Sequence, residues 1–143
     1  MDFIDDFKYI IVPILTWFFI QLFKCLSDLA KNRKLNIRRI LGAGGMPSSH
    51  SAVVTSLATL IGKHEGIETY GFAIAVIFAC IVMYDAAGVR RAAGNQAKLL
   101  NKIVETPGLS KVEVSERLVE ALGHTPFQVV VGAVIGIIVG LIF

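Results

Sequence analysis

The sequence predicts an all-α fold, a polytopic membrane helix bundle with about four transmembrane helices and one or two amphipathic helices at the interface. Three observations predict it. The 143-residue chain is 55% hydrophobic with a mean hydropathy of +0.68, too apolar for a soluble domain whose surface must be covered by polar residues. The segments "FAIAVIFACIVMY" and "FQVVVGAVIGIIVGLIF" have no polar face at helical period, which a soluble bundle requires. Finally, most of the 14 Lys and Arg residues gather in two loops, as they do on the cytoplasmic side of membrane proteins.

The elements follow in order within one integral membrane domain, 1–143. The start, "MDFIDDFK", is acidic and lacks the positive region of a secretory signal, so the first apolar segment is expected to be retained. That segment, 9–26, is predicted as the first span. The others are 51–62, 70–88 and 127–143. A span needs about 20 apolar residues, with about 17 as a lower limit. The second falls short unless its serines and threonines lie inside the bundle, bonding to helix carbonyls. The basic loops, 27–50 and 89–126, are then cytoplasmic and both termini lie outside. The region 89–126 holds two further helices. "VRRAAGNQAKLLNKIVE" reads as a basic amphipathic helix lying on the membrane surface. "SKVEVSERLVEALG" opens on the capping box Ser110 and Glu113. In the last span Gly132, Gly136 and Gly140 share one face, which suits close packing, either within the chain or as a homodimer seam.

Polar chemistry collects at the cytoplasmic ends of these spans. "GAGGMPSSHSAVV" starts the second span. Pro47 suits a first turn, and Ser48 or Ser49 can cap it. The free N–H groups of a helix start form an anion site, Gly45 permits close approach, and His50 lies in the first turn. "MYDAAGVRRAAGNQAKLLN" ends the third span. It brings Asp85, an ionisable group at membrane depth, and Arg90 and Arg91, which match phosphate oxygens. "GHTPFQVV" starts the fourth span with Thr125 as cap and His124 beside it. His64 reads as a solvated loop residue. Cys25 and Cys80 lie in apolar stretches without metal-site spacing. No His or carboxylate cluster has metal-ligand spacing, and no cofactor is expected. A net charge of +3 is explained by topology, so nucleic acid is not an expected partner.

Three motifs in order, "GGMPSSHSA", "YDAAGVRRAAGNQA" and "LGHTP", resemble the divergent branch of the type-2 phosphatidic acid phosphatase superfamily, which also includes vanadium haloperoxidases. The resemblance runs from about Gln21 onward. The superfamily pattern is KxxxxxxRP, then PSGH, then SRxxxxxHxxxD. It implies a metal-independent mechanism in which a histidine of the third motif attacks phosphorus, the histidine of the second protonates the leaving group, and Lys and Arg hold the phosphate. "PSSH" gives His50 the acid role. Lys31 and Arg38 stand at the first motif's spacing, with Arg39 in place of proline and Lys24 as a rival lysine. Arg90 or Arg91 corresponds to the third motif's arginine. No histidine follows within six residues, so His124 is the candidate nucleophile, with Asp85 or Glu120 as the orienting carboxylate.

The expectation is therefore a membrane lipid phosphatase. It would hydrolyse a phosphomonoester or pyrophosphate through a phosphohistidine, at the cytoplasmic face of a bacterial inner membrane. The catalytic candidates are His50, His124 and Asp85. The phosphate-binding candidates are Arg90, Arg91, Lys24, Lys31, Arg38, Ser48, Ser49, Ser51 and Gly45. The expected partners are the bilayer and a lipid phosphate. The alternative is a non-catalytic binder or transporter of anionic lipid headgroups.

Overall fold

A computed structural model of the chain describes residues 3–32, 45–105, 118 and 122–143. Among them there are five helices and no strand: α1 Phe3–Asn32, α2 Ser49–His64, α3 Tyr70–Ala87, α4 Val89–Glu105 and α5 Pro126–Ile142. The capping box at Ser110 and Glu113 lies outside the described residues, as do Arg38 and Glu120.

α2 is the centre. It packs on α5, α3 and α1, although it is the shortest of the five and carries the most hydroxyls. Its length of 16 residues is about 24 Å at 1.5 Å per residue, less than a bilayer core. Its threonines and Ser56 are satisfied inside the bundle. Thr55 donates to the carbonyls of Ser51 at 2.8 Å and of Ala133 on α5 at 3.1 Å, Ser56 to Val53 at 2.8 Å and Thr59 to Thr55 at 2.8 Å.

The large apolar side chains point the other way. Ile10, Phe18 and Phe23 on α1, Ile74, Ile77 and Ile81 on α3, and Val134 and Ile138 on α5 are exposed. Many of the buried positions are held by small or hydroxyl-bearing residues, among them Ser51, Ala52, Thr55, Ala75, Ala79, Gly132 and Gly136. Water would penalise this arrangement by the apolar area left exposed, whereas lipid removes that penalty and rewards close backbone packing. Two helical stretches, Phe7–Ala30 and Tyr70–Glu105, are long and apolar enough to cross a membrane, and Pro126–Ile142 is a shorter apolar helix. The chain is an all-α membrane protein.

One detail differs from expectation: α1 continues past Leu26 to Asn32, so the helix outlasts its apolar run. The glycine face of α5, read from the sequence as a packing face within the chain or a dimer seam, packs within the chain. A β-carbon at Gly132 would lie 2.3 Å from the Ser48 carbonyl oxygen, and one at Gly136 would lie 2.1 Å from Thr55 Oγ1 and 2.2 Å from the Ala52 carbonyl. One at Gly140 would lie 2.6 Å from Thr59 Cβ. α2 therefore fills the groove along this face.

Candidate functional site

The α2–α5 seam aligns two helix starts. Ser48 caps α2, its hydroxyl accepting from Ser51 N at 3.3 Å and from Ser51 Oγ at 2.9 Å. Its own N–H donates to the Gln128 carbonyl on α5 at 3.2 Å. Thr125 caps α5 in a full capping box. Thr125 Oγ1 accepts from Gln128 N at 3.3 Å, while Thr125 N donates to Gln128 Oε1 at 3.0 Å, and Pro126 opens the helix. Two positive helix ends thus meet at one face of the bundle.

His50, in the first turn of α2, and His124, just before α5, lie across this junction. Their ring centroids are 6.2 Å apart and the rings are inclined by 58°. His124 is held through its backbone. Its N–H donates to the Ala86 carbonyl at the end of α3 at 2.9 Å. The preceding Gly123 has φ +83°, and a β-carbon there would lie 2.3 Å from Arg91 N. Only glycine allows both that torsion and that approach. The junction between α3 and α4 therefore packs directly on the turn that presents His124.

The rings are short of partners. His124 is 2% exposed, yet neither ring nitrogen has a hydrogen bond of normal geometry, and His50 Nδ1 also lacks one. Such orphaned polar atoms are rare in a native interior and call for an explanation. Burial, reinforced by nearby Lys24, holds His124 below the usual histidine range. The neighbouring Gln128 side chain and Gly45 backbone oppose that shift, and His50 adds to it. The ring is thus favoured in its neutral form.

Lys24 supplies positive charge from α1. It is 7% exposed, and its Nζ stands 3.5 Å from Ser49 Oγ. It brings a buried cation up to the start of α2. Asp85, at the end of α3, meets Arg90 instead of His124. Arg90 Nε donates to Asp85 Oδ2 at 2.6 Å, with the two side chains 46% and 39% exposed. The break at Gly88 turns Arg90 back over the carboxylate.

The structure therefore gathers His50, His124, Lys24, Ser48, Ser49 and Ser51 at one junction, with Gly45 (φ +91°) at its mouth and the Asp85–Arg90 pair at its edge. Arg91 is exposed on α4 and packs its backbone on Gly123. Lys31 lies in the last turn of α1. Sequence reasoning missed Gln128, which serves both helix starts, and Asp28, buried on α1 one turn beyond Lys24. The spacing of Thr125 and Gln128 is a readable capping-box signal. Asp28 is hidden when the first helix is ended at Leu26. Among the described residues, no group of three His, Cys, Asp or Glu side chains is placed to hold a metal ion.

The chain is similar to the uncharacterized membrane protein YuiD of Bacillus subtilis (strain 168), with 39% identity over 135 residues, covering 87% of this chain and 85% of that protein. No solved structure matches it. The model of the divergent PAP2 family matches residues 6–139, nearly the full helical bundle and the whole His50–His124 junction, and the chain belongs to that family.

Proposed function

We propose that the protein is a metal-independent lipid phosphatase that cleaves a phosphomonoester or pyrophosphate at the cytoplasmic end of the bundle. The observation that carries this reading is the His50–His124 pair: two imidazoles 6.2 Å apart, at two helix starts, with Lys24 beside them. In-line attack needs a nucleophile about 3–3.5 Å from phosphorus and an acid about 2.6–3.2 Å from the leaving oxygen, so both groups must reach one phosphoryl group, and two rings this close can do so.

In this reading neutral His124 attacks phosphorus. A covalent N–P bond forms as the P–O bond to the lipid breaks. His50 gives its proton to the leaving oxygen and later takes one from the water that hydrolyses the phosphohistidine. Lys24, the N–H groups at the start of α2 and Arg90 hold the charge that develops on the phosphoryl oxygens. Lys31, Arg38 and Arg91 are further phosphate-binding candidates. The basic loops favour placing this end in the cytoplasm of a bacterial inner membrane, with four spans and both termini outside.

Phosphate release from purified protein, over a panel of lipid phosphates, tests the reading. Loss of release in both His50→Ala and His124→Ala is expected. Release that survives in both variants sinks it.

One observation favours a second reading. The Asp85 carboxylate bonds Arg90, and among the described residues no carboxylate orients His124. A site that binds an anionic headgroup without hydrolysis would need no such orientation. Headgroup binding without phosphate release selects this alternative.

A further inference from the structure

We propose that the site takes its lipid by one hydrocarbon chain, seated in the groove between α1 and α5. This rests on the reading of the His50–His124 junction as a lipid-phosphate site. The groove is a cavity of about 160 Å³ lined by Val12, Thr16, Ile20, Ile135, Val139 and Phe143, among others. Its lining is apolar in practice, because the Thr16 hydroxyl is turned onto the Val12 carbonyl at 2.8 Å.

The argument lies in the register of α1. Val12, Thr16, Ile20 and Lys24 recur every fourth residue, which places them on one ridge of the helix. All four are buried. The first three wall the groove, and the fourth carries the cation at the phosphate junction. At 1.5 Å per residue the groove wall runs about 12 Å, and Lys24 stands about 6 Å beyond it. The other wall belongs to α5, whose N-terminal cap adjoins His124. The α1 ridge thus links a buried positive charge at its head to an apolar trough below it. That is the complement of an amphiphile with an anionic head and a hydrocarbon tail. A rival groove between α2, α3 and α5, lined by Thr55, Thr59, Phe72, Val76 and Met83 among others, has no lysine at the phosphate junction, because its α2 ridge leads to Lys63 at the far end of the helix from His50. The shallow face at Ile74, Ile77 and Ile81 belongs to α3 alone.

The test is photolabelling of the full chain in phosphatidylcholine vesicles. The probes are a lipid monophosphate and a phosphatidylcholine, each with a diazirine midway along one chain. The monophosphate is expected to label α1 and α5 at the groove about tenfold more than the phosphatidylcholine does, a discrimination of about 1.4 kcal/mol. Val139→Trp, which fills the groove, should remove that excess, and Ile77→Trp on α3 should keep it. Equal labelling by both probes, or an excess at Phe72, Val76 and Met83, overturns the proposal. Phosphate release from a water-soluble short-chain monophosphate reports on the headgroup reading separately. Groove labelling without release leaves the groove standing and removes hydrolysis. Release without groove labelling does the reverse.

Discussion

Gly132 lies so close to Ser48 that a β-carbon on it would come within 2.3 Å of the Ser48 carbonyl oxygen. This contact fixes the start of α2 against the first turns of α5, and so fixes His50 relative to His124. In an ordinary helix, replacing glycine by alanine is favourable by about 1 kcal/mol. Here the sign reverses, because the neighbour is backbone and cannot turn aside. Gly132→Ala and Gly136→Ala should each destabilise the protein by about 1–3 kcal/mol, the range for overpacking. Gly140→Ala should do somewhat less harm, since its closest approaches, 2.6 Å to Thr59 Cβ and 2.9 Å to the Ser56 carbonyl oxygen, are longer. Gly71→Ala on α3, with nothing nearer than Ile61 Cγ2 at 3.6 Å, should be neutral or stabilising. Thermal unfolding in detergent ranks the four. Equal melting for Gly71→Ala and Gly136→Ala would contradict the packing described.

Gly123 should act on the site more than on the bundle. Its φ is +83°, and a β-carbon added to it would meet Arg91 N at 2.3 Å. Both features forbid alanine without backbone movement. The strain of a non-glycine residue at positive φ is of the order of 1–3 kcal/mol, and relief would shift the adjoining His124. Gly123→Ala is expected to lower phosphate release by about tenfold or more, since small misplacements of reacting groups have large effects. It should leave the helical content by circular dichroism unchanged. Full activity in this variant would mean that His124 is not held by that turn.

The helices are legible in the sequence where hydropathy and caps agree. The apolar runs mark α3 and α5, and Ser48, Thr125 and Pro126 mark two helix starts that the structure brings together. Other features depend on tertiary packing. Gly132, Gly136 and Gly140 announce a close approach but do not say to what, and by pattern alone α2 and a second copy fit equally well. The end of α1 is displaced in a sequence reading because Asp28 falls beyond the apolar run and looks like a loop residue, whereas the structure buries it on the helix. Asp85 is a reasonable partner for His124 by topology, but its distance from Arg90 depends on the local turn at Gly88.

The neutral state of His124 makes stability depend on pH. In the unfolded chain this histidine takes up its proton near pH 6.5. In the folded protein burial and nearby Lys24 lower that point, with His50 adding to the shift and the Gln128 side chain and Gly45 backbone opposing it. Between the two, the unfolded state binds more protons, so stability is full above about pH 6.5 and declines as pH falls. The slope from this group is at most about 1.4 kcal/mol per pH unit. His124→Gln should flatten the decline below about pH 6.5 by that amount while leaving stability at higher pH less affected. Parallel pH profiles for the two proteins would show that His124 does not fold as the neutral base.

Asp85 and Arg90 separate structural from chemical roles. The pair is short at 2.6 Å but 39% and 46% exposed, and ion pairs open to solvent contribute about 0–1 kcal/mol. Asp85→Asn should therefore shift unfolding little. Its effect on turnover should be larger if Asp85 aims Arg90 at the phosphoryl group. Removing a donor to developing negative charge typically lowers rate about 10²- to 10³-fold, so Arg90→Ala is expected in that range. Asp85→Asn should fall short of it, because the guanidinium remains and only its aim is lost. The double variant should be no slower than Arg90→Ala alone, since residues acting through one another are not additive. Independent, multiplying losses would instead assign Asp85 a contact of its own with the reacting groups, through the His50 side of the junction, where its charge is already felt.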